Sequence, residues 1–114
     1  MSAIDLTWQN SRDGRDASTE RSGRRRWGDA WPSLRRRLAV LLDAPTLSDI
    51  RGTPGKPHTL TGDLPGRVAL NVTANYRLVF RSAEEPAPLL TDGGLDWAAV
   101  RSIIIEGVID YHGH

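Results

Sequence analysis

Cysteine is absent from the 114 residues, which removes disulfides, thiolate metal sites and thiol nucleophiles together. That absence fits a cytoplasmic protein. Long apolar runs are missing as well: no stretch approaches the roughly 20 residues that a bilayer span needs. No apolar signal-peptide core follows Met1. The expectation is a cytoplasmic protein with no membrane partner. Lysine is nearly missing, with Lys56 the sole example, so every other basic residue is arginine. No internal repeat is visible.

What is present is an ordinary globular composition, 39% hydrophobic and 25% charged. It suffices for one domain with a modest core. The net charge of +1 conceals an uneven distribution, because seven arginines fall between Arg21 and Arg37 with Asp29 the only acid among them. A guanidinium is a planar fork suited to phosphate or carboxylate. The cluster therefore suggests nucleic acid or an acidic protein surface, and a solvated helix face explains any single arginine equally well.

Periodicity divides the chain. Ile4, Leu6 and Trp8 alternate with Asp5 and Thr7, as in a strand. Asn10 to Gly23 is polar and reads as either a frayed helix or a mobile loop. Trp31, Leu34, Leu38, Leu41 and Leu42 recur at helical spacing, and Pro32 suits a first helical turn. This predicts a helix from about Pro32 to Leu42, a break near Gly28, and a shorter helix before it to complete a hairpin. Thr46 to Ile50 reads as a single turn, and 52–57 as a breaker-rich loop. Then the period changes to alternation: His58–Thr61, Val68/Leu70/Val72, and Tyr76/Leu78/Phe80 read as short strands. Ser82 to Trp97 is a long excursion. The β-branched run from Val100 to Ile109 is a final strand, ending on Asp110, Tyr111 and His112. The expected class is α+β, with a helical hairpin on one face of a small, mainly antiparallel sheet of four to five strands. The other face is expected to stay partly open and to carry arginine. Whether the last strand pairs parallel with the first is left open by the sequence.

Three segments in this order, 58–67 (His58-Thr59-Leu60-Thr61-Gly62-Asp63-Leu64-Pro65-Gly66-Arg67), 75–80 (Asn75-Tyr76-Arg77-Leu78-Val79-Phe80) and 110–113 (Asp110-Tyr111-His112-Gly113), resemble the HigB branch of the RelE-like toxins, the plasmid-maintenance killer proteins of type II toxin–antitoxin systems. The resemblance spans roughly residues 27 to 113. The whole chain then reads as one toxin domain, with 1–26 weakly matched and partly flexible. Residues 92–97 are similar to an insertion found in one subgroup. The resemblance implies a RelE-like fold and a ribosome-dependent mRNA endonuclease that inhibits translation. It implies no metal or organic cofactor. The implied partners are mRNA on the ribosome and a cognate HigA-like helix-turn-helix antitoxin, with operator DNA reached only through that antitoxin. The implied catalytic residues are His58, Arg77, Asp110, Tyr111 and His112. One departure stands out: the motif His-x-Leu-Lys-Gly of well-known members has Thr61 at the lysine, and threonine supplies no cation.

Metal-free RNA cleavage needs a base for the 2′-hydroxyl, an acid for the leaving 5′-oxygen and positive charge on the phosphorane. His58 and His112 suit proton transfer near neutral pH. Arg67, Arg77 and Lys56 suit phosphate binding. Asp110 can orient a histidine or act as base, and Tyr111 can stack on an unpaired base. Regular alternation puts Asp110 and His112 on one face and Tyr111 on the other. Bland readings stand beside these. His58 is equally well a surface loop histidine, and Tyr76 suits the core. Arg77 is equally well satisfied by a salt bridge to Asp110 or Glu106. Trp27 and Trp31 suit the core or an antitoxin contact. Asp92 and Asp96 make a weak metal pair. A non-catalytic RelE-fold protein that binds RNA, ribosome or antitoxin is the alternative, and a domain that keeps only the fold is a third.

Overall fold

The computed structural model describes residues 3–60 and 66–110. Strand β1 (Asp5–Trp8) leads into three consecutive helices, α1 (Ser11–Asp16), α2 (Glu20–Trp27) and α3 (Trp31–Asp43). Strands β2 (His58–Thr59), β3 (Arg67–Asn71), β4 (Tyr76–Ser82) and β5 (Ser102–Asp110) follow. They form one five-stranded sheet in the order β1-β5-β4-β3-β2. Three pairings are antiparallel and the fourth, β1 with β5, is parallel.

The expected two-helix hairpin is thus replaced by three helices, only one of them long. The polar segment from Asn10 is helical because its ends are capped. The Asn10 side chain accepts from the Arg12 and Asp13 amides, and the Thr19 hydroxyl accepts from the Ser22 amide. Arg26 ties α2 to α1 through Asp13 (2.7 Å) and Asp16 (2.9 Å). Gly28 ends α2 at φ +55°, a left-handed conformation that glycine adopts without strain. Pro32 sits in the first turn of α3, where its missing N–H is harmless.

Trp31, Leu34, Leu38 and Leu41 of α3 are buried in one cluster with Val68, Leu70, Leu78, Phe80, Ile103 and Ile105 of the sheet. Each such side chain contributes about 1.5–3 kcal/mol by leaving water. Leu42, which the periodicity assigned to the same stripe, is instead 52% exposed. The excursion after β4 closes one end of this core. It turns back on itself at 90–94, where Leu90 and Gly94 pair backbone groups (2.7 Å), and it buries Leu95 and Trp97. The Arg51 guanidinium lies over the Trp97 ring at 3.9 Å. Among the described residues no helix is long and apolar enough to cross a membrane.

Candidate functional site

The sheet has a second face, turned away from the core cluster. Its composition follows from the register. Val68 and Leu70 face the core, so their neighbours Arg67, Ala69 and Asn71 face the other way. Cross-strand partners share a face, which adds Arg81, Val79 and Arg77 on β4. It also adds His58 on β2, opposite Ala69, and Ile109 on β5, opposite Arg77.

Strand β5 does not run regularly along this face. Val79 pairs with Gly107, but Phe80 pairs with Ile105, so Glu106 is an extra residue, a β-bulge. The bulge puts both Ile105 and Val108 on the core side, and the Glu106 carboxylate lies on the opposite face, as alternation from Ile103 already assigns it. There it binds two arginines. Arg67 grips it bidentately through Nε and Nη2, the latter at 2.9 Å, and Arg81 Nε lies 3.2 Å from Oε2. The carboxylate is 11% exposed, Arg67 23% and Arg81 35%. Among the described residues, Arg67 Nη1 is buried with no hydrogen-bond partner. Two arginines directly opposite each other repel, and Glu106 between them relieves that repulsion.

His58 is held by its own loop. Nδ1 lies 2.7 Å from the Lys56 carbonyl oxygen. A carbonyl only accepts, so Nδ1 carries the proton and Nε2 is left for proton transfer. The loop is anchored in turn. The Asn71 amide donates to the Gly55 carbonyl (2.7 Å), and Arg37 Nε donates to the Asn71 carbonyl (2.9 Å). A Cβ on Gly55 would stand 2.8 Å from Arg37 Nε, so this close crossing requires glycine. Burial, aided by the charge of Arg36, pulls the Arg37 pKa below the usual guanidinium range. Lys56 is exposed beside this crossing, at φ +50°.

The expected site residues are therefore partly brought together. His58, Arg67 and Arg77 share the second face, on the adjacent strands β2, β3 and β4. Arg77 is half-buried and lies between Asn71 on β3 and Ile109 on β5. Asp110 pairs with Tyr76, and that register puts it on the core side, at the sheet end next to Arg77. Tyr111, His112 and Thr61 lie outside the described residues. Glu106, one of the two acids considered as partners for Arg77, spends both its oxygens on Arg67 and Arg81. Arg81 and Glu106 were not among the expected site residues. A carboxylate inside the run Ile103–Ile109 is the signal for them, since it needs a cation when half-buried.

The arginines of α2 and α3 divide. Arg24 and Arg35 pair with Glu20 at 2.9 and 3.4 Å, and Arg26 with the acids of α1. Glu20 also accepts from the Trp31 indole (2.9 Å), the largest of several contacts that hold its carboxyl below the usual range. Arg21 and Arg25 are exposed and carry no ion pair among the described residues. Trp31 is buried, and Trp27 stacks on it at 5.9 Å, so the core reading holds for Trp31. Asp92 spends an oxygen on the Gly94 amide (2.8 Å), and no cluster of three or more metal-ligating side chains occurs among the described residues.

No family model and no curated protein matches this sequence. Among solved structures, a YoeB/ParE toxin from Agrobacterium tumefaciens shares the fold at 17% identity. The match covers 96% of this chain and 100% of that one with a TM-score of 0.54, a likeness of overall fold.

Proposed function

We propose that this chain is the toxin of a type II toxin–antitoxin pair, a HigB-like endoribonuclease of the cytoplasm that cuts mRNA on the ribosome and so inhibits translation. One observation carries the reading. A sheet face not covered by the core-forming helices holds a histidine with a fixed tautomer, His58, in the company of Arg67, Arg77 and Arg81. Such a face supplies a proton-transfer group and phosphate-directed cations, which is what metal-free RNA cleavage uses.

The chemistry balances without a cofactor. A base removes the 2′-hydroxyl proton, and the 2′-oxygen forms a bond to phosphorus. The P–O5′ bond breaks, and an acid delivers a proton to the 5′-oxygen. The products are a 2′,3′-cyclic phosphate and a 5′-hydroxyl. His58 and His112 serve as base and acid, with Asp110 orienting or charging its neighbour. Arg77 stabilises the phosphorane, and Lys56 and Arg67 hold flanking phosphates. Tyr111 stacks on a base splayed from the message. The partner that neutralises it is a HigA-like helix-turn-helix antitoxin.

A second reading rests on two observations. Thr61 stands where the HigB-like motif has lysine, and Arg67 is already engaged by Glu106. Both favour a protein of this fold that binds RNA, ribosome or antitoxin without cutting. Induced expression of the wild type against His112→Ala and Arg77→Ala, with mRNA 5′ ends mapped, separates the two. Cleavage predicts new 5′ ends that both variants lose, each group being worth roughly 10²–10⁴-fold in rate. Growth arrest without new 5′ ends would sink the nuclease, and equal toxicity of the variants would sink the site assignment.

A further inference from the structure

The Arg67–Glu106–Arg81 arrangement has a property that plain structural pairing does not require. The fork of Arg67 receives two carboxylate oxygens from one group, the geometry in which a guanidinium also takes two oxygens of a phosphodiester. Arg81 meets Glu106 through Nε, its Nη nitrogens make no hydrogen bond among the described residues, and at 35% exposure it is the most open of the three. The site lies on the same face as His58 and Arg77, and β4 carries Arg77 and Arg81 four residues apart on that face. Four residues along a strand span about 13 Å, about two nucleotide steps of an extended single strand. Glu106 is itself the bulged residue of β5, left out of the strand pairing, and bulges of this kind are frequent beside functional sites.

Resting on the RNA-directed reading of this face, we infer that Arg81 and Arg67 form a second phosphodiester subsite, and that Glu106 is its built-in competitor, a carboxylate that occupies the fork until a phosphate of the RNA replaces it. In the free protein Glu106 cancels one of the two charges and holds both guanidinium groups in place. When RNA arrives, Arg81 binds the phosphate first through its Nη donors, and Arg67 then exchanges carboxylate for phosphate. Glu106 thereby sets the affinity of the face for RNA and suppresses binding of stray polyanions.

The test uses the full chain and a fluorescein-labelled single-stranded RNA in which 2′-deoxy positions prevent cutting, with binding read by anisotropy across a salt series. Glu106→Gln is expected to bind about fivefold more tightly, from removal of a unit charge a few ångströms from a phosphate. Its log–log salt slope is expected to steepen by about 0.7, one further phosphate contact on a single strand. Arg81→Gln is expected to lose about fivefold and to flatten the slope by about the same amount. Circular dichroism melts check that each variant folds. If Glu106→Gln does not fold, Arg81→Gln decides alone, and an unchanged slope overturns the inference. A folded Glu106→Gln with unchanged or weaker binding also overturns it and leaves the triad a structural brace. Wild type that binds no RNA at low salt defeats the underlying reading as well. Wild type that binds, and is weakened by Arg77→Ala but not by Arg81→Gln, defeats this inference alone.

Discussion

Gly23 is where a single methyl group has the clearest consequence. It lies inside α2, an ordinary place to gain stability by Gly→Ala, since alanine is favoured there by about 0.8–1 kcal/mol. Here the sign reverses. A Cβ on Gly23 would stand 2.4 Å from both Cδ2 and Cε2 of Trp31 and 2.6 Å from Cε3. The ring cannot step aside. It is 2% exposed, it stacks on Trp27 at 5.9 Å, and its indole N–H is tied to Glu20 at 2.9 Å. Overpacking of a well-filled site costs about 1–3 kcal/mol, and contact with three immobile ring atoms belongs at the top of that range. Subtracting the helix gain leaves about 2 kcal/mol of net destabilisation. For a domain of this size that is a fall of roughly 8 °C in Tm. Gly14→Ala is the internal control. Its Cβ would meet the Trp8 side chain at 3.0–3.2 Å, and Trp8 is only half-buried and able to yield. Calorimetric melts of both variants decide the matter. A Tm for Gly23→Ala at or above that of the wild type refutes the packing of α2 against α3 given above.

Three further outcomes are expected. Leu34→Ala, at a fully buried α3 position, loses about 2–5 kcal/mol in urea titration, and a loss under about 1 kcal/mol contradicts its place in the core. Arg37→Ala releases the Asn71 carbonyl and the loop that holds His58, costing about 1.5–3 kcal/mol locally, so the Asn71 amide, bonded to Gly55, exchanges with deuterium faster; unchanged exchange rejects the anchor. Glu84 is the pH-sensitive support: burial opposes its charge, but the Ser82 hydroxyl and the Arg101 amide, among other donors, hold its carboxyl below the usual range. Its contribution is complete above the usual glutamate range and fades as pH falls through the lowered value, so Glu84→Gln flattens the acid side of the stability–pH curve, and a parallel shift at all pH values argues against it.

Much of the architecture was legible because periodicity reports burial. The α3 stripe, the Val68–Leu70 and Leu78–Phe80 alternation and the break at Gly28 carry their own signals. The helix before Gly28, realised as α2, was expected; α1 and the boundary between the two were not, since capping and ion pairs rather than an apolar stripe hold α1 and tie it to α2. Their caps, Asn10 and Thr19, are visible only as residue types common in loops. The bulge was illegible for a different reason. In a run of isoleucine and valine, a one-residue slip leaves no trace in composition, yet it exchanges the faces of everything beyond it. Strict alternation from Ile103 assigns Ile109 to the core; in the structure Val108 takes that side and Ile109 is 49% exposed. The same slip puts Asp110 beside Tyr76 and leaves His58, Arg67 and Arg77 on the other face. Glu106 keeps its side under either register, since alternation from Ile103 already turns it from the core; what the register adds is its place between Arg67 and Arg81.

The parallel pairing of β1 with β5 sets a timetable for the molecule. Asp5 lies opposite Ser102, and β5 separates β1 from β4, so β1 cannot join the rest of the sheet until Ser102–Asp110 has been made. Contacts so distant in sequence close late, because loop entropy must be overcome first. A nascent chain on the ribosome that has not yet released β5 has neither Glu106 nor a finished arginine face. Completion of that face is thereby deferred until Ser102–Asp110 has emerged and has inserted between β1 and β4.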